Sequence, residues 1–135
     1  MRTQLHEETG MMGKLVVVWV LLLALAGVAA VDTVSIMFTT FHLADVAGRA
    51  AGDAVDTYAH TGDANQTCAE AAAAIRAADD TIKLPKTDFC SIDPQTGRVT
   101  LTVKKTASTF LVGKISYTKH YAQVSHTEIA GPSAV

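Results

Sequence analysis

The sequence predicts an α+β chain: a long N-terminal transmembrane helix continuing into an amphipathic helix, a second short helix, and a small antiparallel β-sheet of about three strands. Three observations carry this. Residues 15–31 read LVVVWVLLLALAGVAAV, with no charged side chain. Apolar residues then recur at i, i+3 and i+4 to about residue 60. From Thr87 onward the period changes to two.

The apolar run covers about 25 Å as a helix, slightly short of a hydrocarbon core of about 30 Å. Met11 and Met12 extend it on one side, past Lys14, whose stem can reach the headgroups. After Asp32 the chain reads TVSIMFTTF, with no charge before Asp45. The expected division is a short cytoplasmic N-terminus over 1–14, a transmembrane helix over 15–38 and an extracytoplasmic α+β domain over 39–135. Met12 offers an alternative start just ahead of the anchor, which would leave residues 1–11 untranslated. Arg2 and Lys14 flank one side, and the first basic residue on the other is Arg49. That asymmetry places the N-terminus inside a cell membrane crossed once. The competing expectation is a cleaved signal peptide. Val28-Ala29-Ala30 fits a small-x-small site, and cleavage near Ala30 would release a small secreted binding protein.

Residues 32 to about 60 form the amphipathic part. The expected apolar face uses Phe38, Phe41, Val46, Ala50, Ala54 and Tyr58, with Leu43, Ala47, Ala51 and Val55 beside them. Asp45, Arg49 and Asp53 lie four apart on the polar face. Ala44, Gly48 and Gly52 make a small-xxx-small line, suited either to helix–helix contact or to a place under the protein's own sheet. Gly62 stops the helix. A second helix is expected from Thr67 as N-cap, with Glu70 completing a capping box. Its apolar face is Ala71, Ile75, Ala78 and Ile82, and Pro85 closes it. Phe89 to Ile92 reads as a strand and Asp93-Pro94-Gln95-Thr96-Gly97 as a turn. Arg98 to Lys105 is a half-buried strand with Val99, Leu101 and Val103 on one face. The segment STFLVGKI packs under the sheet as a short helix or loop, and Lys119 to Ile129 is the last strand.

The chain has 135 residues, 49% of them hydrophobic, and a net charge of -2. Without the anchor about 100 residues remain, enough for one small domain. No cluster of Lys and Arg marks a nucleic-acid footprint. Cys68 and Cys90 are the only cysteines, and export would favour a disulfide between them. Two unrelated buried thiols are the bland alternative. The histidines are His6, His42, His60, His120 and His126, none spaced as a helical i, i+4 or strand i, i+2 metal pair. Asp79-Asp80 reads as a solvated helix face, and no nucleophile elbow, P-loop or dinucleotide fingerprint occurs. Neither an enzymatic site nor a cofactor is expected.

The anchor running into VDTVSIMFTTFHLADVAGRAAGDAV, the hairpin IDPQTGRVTLTVKKTAST, and the final VSHTEIAGPS strand after FLVGKI together resemble the TadE/TadG-like proteins. These are pseudopilin-type membrane proteins of Flp (Tad) pilus assembly in bacteria. The resemblance covers nearly the whole chain and is compositional. It implies a structural component of a pilus assembly or secretion system. The implied partners are membrane lipid, other pseudopilin or secretion-system membrane proteins, and further copies of the chain. A prepilin-type signal would place a Glu five residues after the cleaved Gly. Five after Gly10 stands Leu15.

Overall fold

The computed structural model describes residues 5–132 of the chain. Helix α1 spans Leu5–Thr61 and α2 spans Ala64–Ala78. Three strands follow: β1 (Cys90–Asp93), β2 (Arg98–Thr106) and β3 (Gln123–Ala130). They form one antiparallel sheet in the order β1-β2-β3. The architecture is α+β, as the sequence predicts.

The 57 residues of α1 form one unbroken helix, about 85 Å long at 1.5 Å per residue. No proline interrupts it, and Thr33, Thr39 and Thr40 return their hydroxyls to the carbonyls four residues back. It ends where Gly62 takes φ +64, the left-handed conformation that glycine adopts without a Cβ clash. Gly62 N donates to Tyr58 O at 2.8 Å.

The core lies between α1 and the sheet, above the apolar run. Leu43, Val46, Ala47, Ala50, Ala51, Ala54 and Val55 supply the α1 side. Val99, Leu101 and Val103 of β2, Val124 of β3, and Ala71, Ile75 and Ile82 complete it. The alternation expected in β2 is therefore present. The α1 face differs from expectation at three residues: Tyr58 is half-buried and outside the core, and most of all Phe38 is 74% exposed and Phe41 is 72% exposed. The cause is helical angle. At about 100° per residue, the buried face is centred on Leu43, Ala47, Ala50 and Ala54, and both phenylalanines fall on the far side.

Other boundaries move for local reasons. The N-cap of α2 is Asp63, not Thr67. Asp63 is extended, and its Oδ1 accepts from Asn65 N at 2.8 Å and Gln66 N at 3.1 Å. Thr67 is buried and donates to Asp63 O, while Glu70 accepts from the Gln66 side chain at 3.0 Å. Helix α2 stops at Ala78, well before Pro85. Ala78 is exposed, and Ile82 reaches the core from the connection that follows. There Lys83 and Lys104 pair as an isolated bridge. Strand β1 begins at Cys90, and Phe89 supports it through its carbonyl, which accepts from Thr102 N. The β1–β2 turn forms around Asp93, whose carboxylate accepts from Gln95 N and Thr96 Oγ1, with Gly97 at φ +69. Lys119–Ala122 is a 3-10 turn, so β3 starts only at Gln123 and His120 and His126 do not share a strand.

Candidate functional site

Two faces of α1 have different fates. One packs on the sheet. The other carries Met37 and Phe41, with Val34 and Phe38 at its border beside Lys105 and Thr106 of β2, all four apolar side chains exposed directly above the apolar run. These continue the line of exposed apolar side chains from Leu15 to Val31 by more than two turns. Farther along the same side, Gly48 and Gly52 are open: a Cβ built on either would meet nothing within 4 Å. The line Ala44, Gly48, Gly52 therefore does not lie under the sheet. Ala44 and Gly48 are half-buried and Gly52 is exposed. Gly48 and Gly52 border an open cleft of about 490 Å³ with Arg49, Asp53 and Asp56. Asp45 and Arg49 pair across its flank at 3.1 Å, an exposed contact of small energetic weight.

Two aspartates fix the loops to α1. Asp32 is buried on α1, one residue past the apolar run. Its Oδ1 accepts from Phe110 N at 2.6 Å, and its Oδ2 accepts from Leu111 N and Val112 N at 2.9 Å each. Three successive amides converging on one carboxylate hold the segment 108–112 against the helix. Ser35 Oγ adds a bond to Ser108 O at 2.5 Å. The domain's side-chain hydrogen bonds to α1 thus begin at Asp32, inside the 15–38 segment expected to span the membrane.

Asp79 is the second tie, and here the sequence reading is corrected. It is not a solvated helix residue but the C-cap of α2, mostly buried. Its carboxylate accepts from Lys105 Nζ of β2 and from Thr81 Oγ1 at 2.6 Å and Thr81 N at 3.0 Å. It also lies 2.9 Å from His42 Nε2 of α1. The Lys105 ammonium foremost, then the Thr81 hydroxyl, hold its carboxyl far below the usual range, against the opposing effect of burial. Its neighbour Asp80 is exposed. Three elements thus meet on one side chain.

The disulfide expected from export is present. Cys68 and Cys90 are bonded, with Cα atoms 5.8 Å apart, and join α2 to the first residue of β1.

Sequence reasoning missed both aspartates as anchoring points. Asp32 carried a weak signal, a lone charge interrupting an apolar helix. Asp79 carried only a local one, Thr81 two residues on, because the His42 and Lys105 partners that make it a tie lie 37 and 26 residues away. Chemically, the cluster around Asp79 places a carboxylate between a lysine and a histidine, with no thiol or serine hydroxyl bonded to His42. That order suits an electrostatic clamp and not a nucleophile–base relay. Among the described residues, no group of three or more His, Cys, Asp or Glu side chains is placed to hold a metal ion. Among the described residues, most of the exposed large apolar side chains lie on α1. No protein-family model matches the chain, and neither a curated protein nor a solved structure matches it.

Proposed function

We propose that the chain is a membrane-anchored, pseudopilin-like structural component of a bacterial Flp/Tad-type pilus assembly or secretion system, and not an enzyme. The observation that carries this reading is the division of α1. One helix is long and apolar enough to cross a membrane, continues without a break into the domain, and keeps Val34, Met37, Phe38 and Phe41 exposed outside the core, with Val34 and Phe38 bordering an open cleft of about 420 Å³ beside Lys105, Thr106 and Ser108. A monomer has no use for that strip of apolar surface outside the bilayer. In an assembly, neighbouring α1 helices or other membrane components of the same system would cover it. Gly48 and Gly52 would permit close approach at the upper end. The chain would cross the cell membrane once, N-terminus cytoplasmic, with the domain outside and its disulfide in an oxidising compartment.

Deleting the gene is expected to abolish pilus assembly or export of the system's cargo, with the remaining membrane components still present. Unchanged pili and export in the deletion strain would refute the proposal.

One observation favours a released, secreted form. Among the described residues Asp32 is the first one buried, so cleavage after Ala30 would remove no described core side chain. Cell fractionation separates the two. The anchored form stays with membranes at full length, and the released form is soluble, disulfide-linked and lacks residues 1–30.

A further inference from the structure

The segment 108–121 connects β2 to β3 and is tied to α1 at Asp32. It carries an unusual surface for a loop. Phe110 is 64% exposed and Tyr117 is 90% exposed, and Ile115 and Tyr121 are exposed as well. Lys114 and Lys119 are exposed among them. No acidic residue occurs between Asp93 and Glu128, whereas Arg98, Lys104, Lys105, Lys114 and Lys119 all do. The combination of aromatic rings, aliphatic side chains and lysines without acids matches the chemistry of a headgroup region, apolar on one side and anionic on the other.

The position agrees with the chemistry. Asp32 directly follows the apolar run 15–31, so the amides it holds lie at the level where that run ends. Val28 sits one turn below Asp32 on the same face, and it alone in the run 15–31 is half-buried. Something shades it, and the segment held by Asp32 is the part of the fold tied to that face nearest by. The 3-10 turn Lys119–Ala122 then leads back up into β3.

We propose that residues 108–121 form a foot that rests in the interface of the bilayer crossed by α1. Phe110, Ile115, Tyr117 and Tyr121 seat among the headgroups, and Lys114 and Lys119 contact lipid phosphates. Asp32 sets the depth of the foot by holding the amides of Phe110, Leu111 and Val112. The domain is then fixed in height and rotation against the membrane, not merely tethered to it. This rests on α1 being a membrane anchor but is independent of any role in pili.

Trp19 is the only tryptophan, so single-tryptophan chains are simple to prepare. The full chain is reconstituted into phosphatidylcholine/phosphatidylglycerol vesicles carrying brominated acyl chains. Wild-type Trp19 reports on the anchor. In a Trp19→Phe background, Tyr117→Trp and Phe110→Trp report on the foot, both conservative changes at exposed positions. Gln95→Trp, in the β1–β2 turn at the far end of β2, reports on water. The foot predicts that Tyr117→Trp and Phe110→Trp emit at shorter wavelength than Gln95→Trp, lose emission to bromines placed near the headgroup, and are shielded from acrylamide. Emission from both that matches Gln95→Trp, while Trp19 is quenched by deep bromines, would overturn the foot and leave the anchor intact. Loss of Trp19 quenching would overturn the anchor and the foot together. Unchanged emission and quenching of Tyr117→Trp when Lys114→Gln and Lys119→Gln are added would overturn the phosphate contacts of Lys114 and Lys119.

Discussion

Replacing Cys68 and Cys90 together by alanine lowers the stability of the α+β domain by about 3 kcal/mol, on the chain-entropy account of a cross-link closing a loop of this length. The residues are 22 apart in sequence. Apart from the Asp79 tie and the Lys83–Lys104 bridge, the loop between them is held by few apolar side chains: Ala71, Ile75 and Ile82 are its buried ones. The core it supports is thin. Four of the seven α1 core residues are alanines, Ala47, Ala50, Ala51 and Ala54, each of which buries far less area than a leucine. Close approach of sheet to helix gains dispersion contacts but leaves small hydrophobic stabilisation. A loss of about 3 kcal/mol is a large fraction of what a domain of about 100 residues can hold in reserve. Pulse proteolysis in urea, on detergent-solubilised chain, is expected to show a lower midpoint for the double variant and for reduced wild type. An unchanged midpoint would mean that the disulfide does not constrain the domain.

The second large effect is expected at Asp79. Asp79→Ala removes the group that joins Lys105, Thr81 and His42, and leaves the Lys105 side chain, 21% exposed, with its ammonium lacking a carboxylate. The expected loss is about 2–3 kcal/mol, the range for breaking a largely buried charged contact, reduced for its residual exposure. The same group gives a pH signature. Its carboxyl titrates well below the unfolded value of about 3.9. The folded state therefore binds fewer protons than the unfolded state as pH falls through that value. The contribution of Asp79 is complete above about pH 4 to 5 and disappears as the medium becomes more acid. In wild type the urea midpoint should fall steeply below pH 4, and in Asp79→Ala the fall should be shallower. Parallel pH profiles would contradict the clamp.

Much of this fold was legible in the sequence, and the reasons are local. The anchor, the glycine stop at Gly62, the Asp93–Gly97 turn and the alternation of β2 each depend on residues close together in the chain. The rotation of α1 was not legible. Phe38 and Phe41 are the largest apolar side chains in their stretch, and a soluble helix would bury them. Helical spacing sets both phenylalanines opposite the alanine face, and which of the two faces the sheet takes is a tertiary outcome that periodicity does not encode. Asp63 took the cap from Thr67 because an extended residue directly after Gly62 already satisfied the first amides of α2. The Asp32 cradle and the Asp79 clamp are long-range, spanning 78 to 80 residues in one case and up to 37 in the other. The small-residue line left two readings open, and the empty space beyond Gly48 and Gly52 removes the one that put it under the protein's own sheet.

The central claim is that the far side of α1 is an assembly surface continuous with a membrane anchor. Site-directed cross-linking in native membranes tests it most directly. Cysteine is placed at Phe41 and, separately, at Gly48 on that side, and at Ser125 on the outer face of the sheet as a control. With a short bismaleimide, Phe41→Cys and Gly48→Cys should each give a discrete adduct, to a second copy or to another membrane component, and Ser125→Cys should not. Adducts no more abundant at Phe41 and Gly48 than at Ser125 would contradict the account.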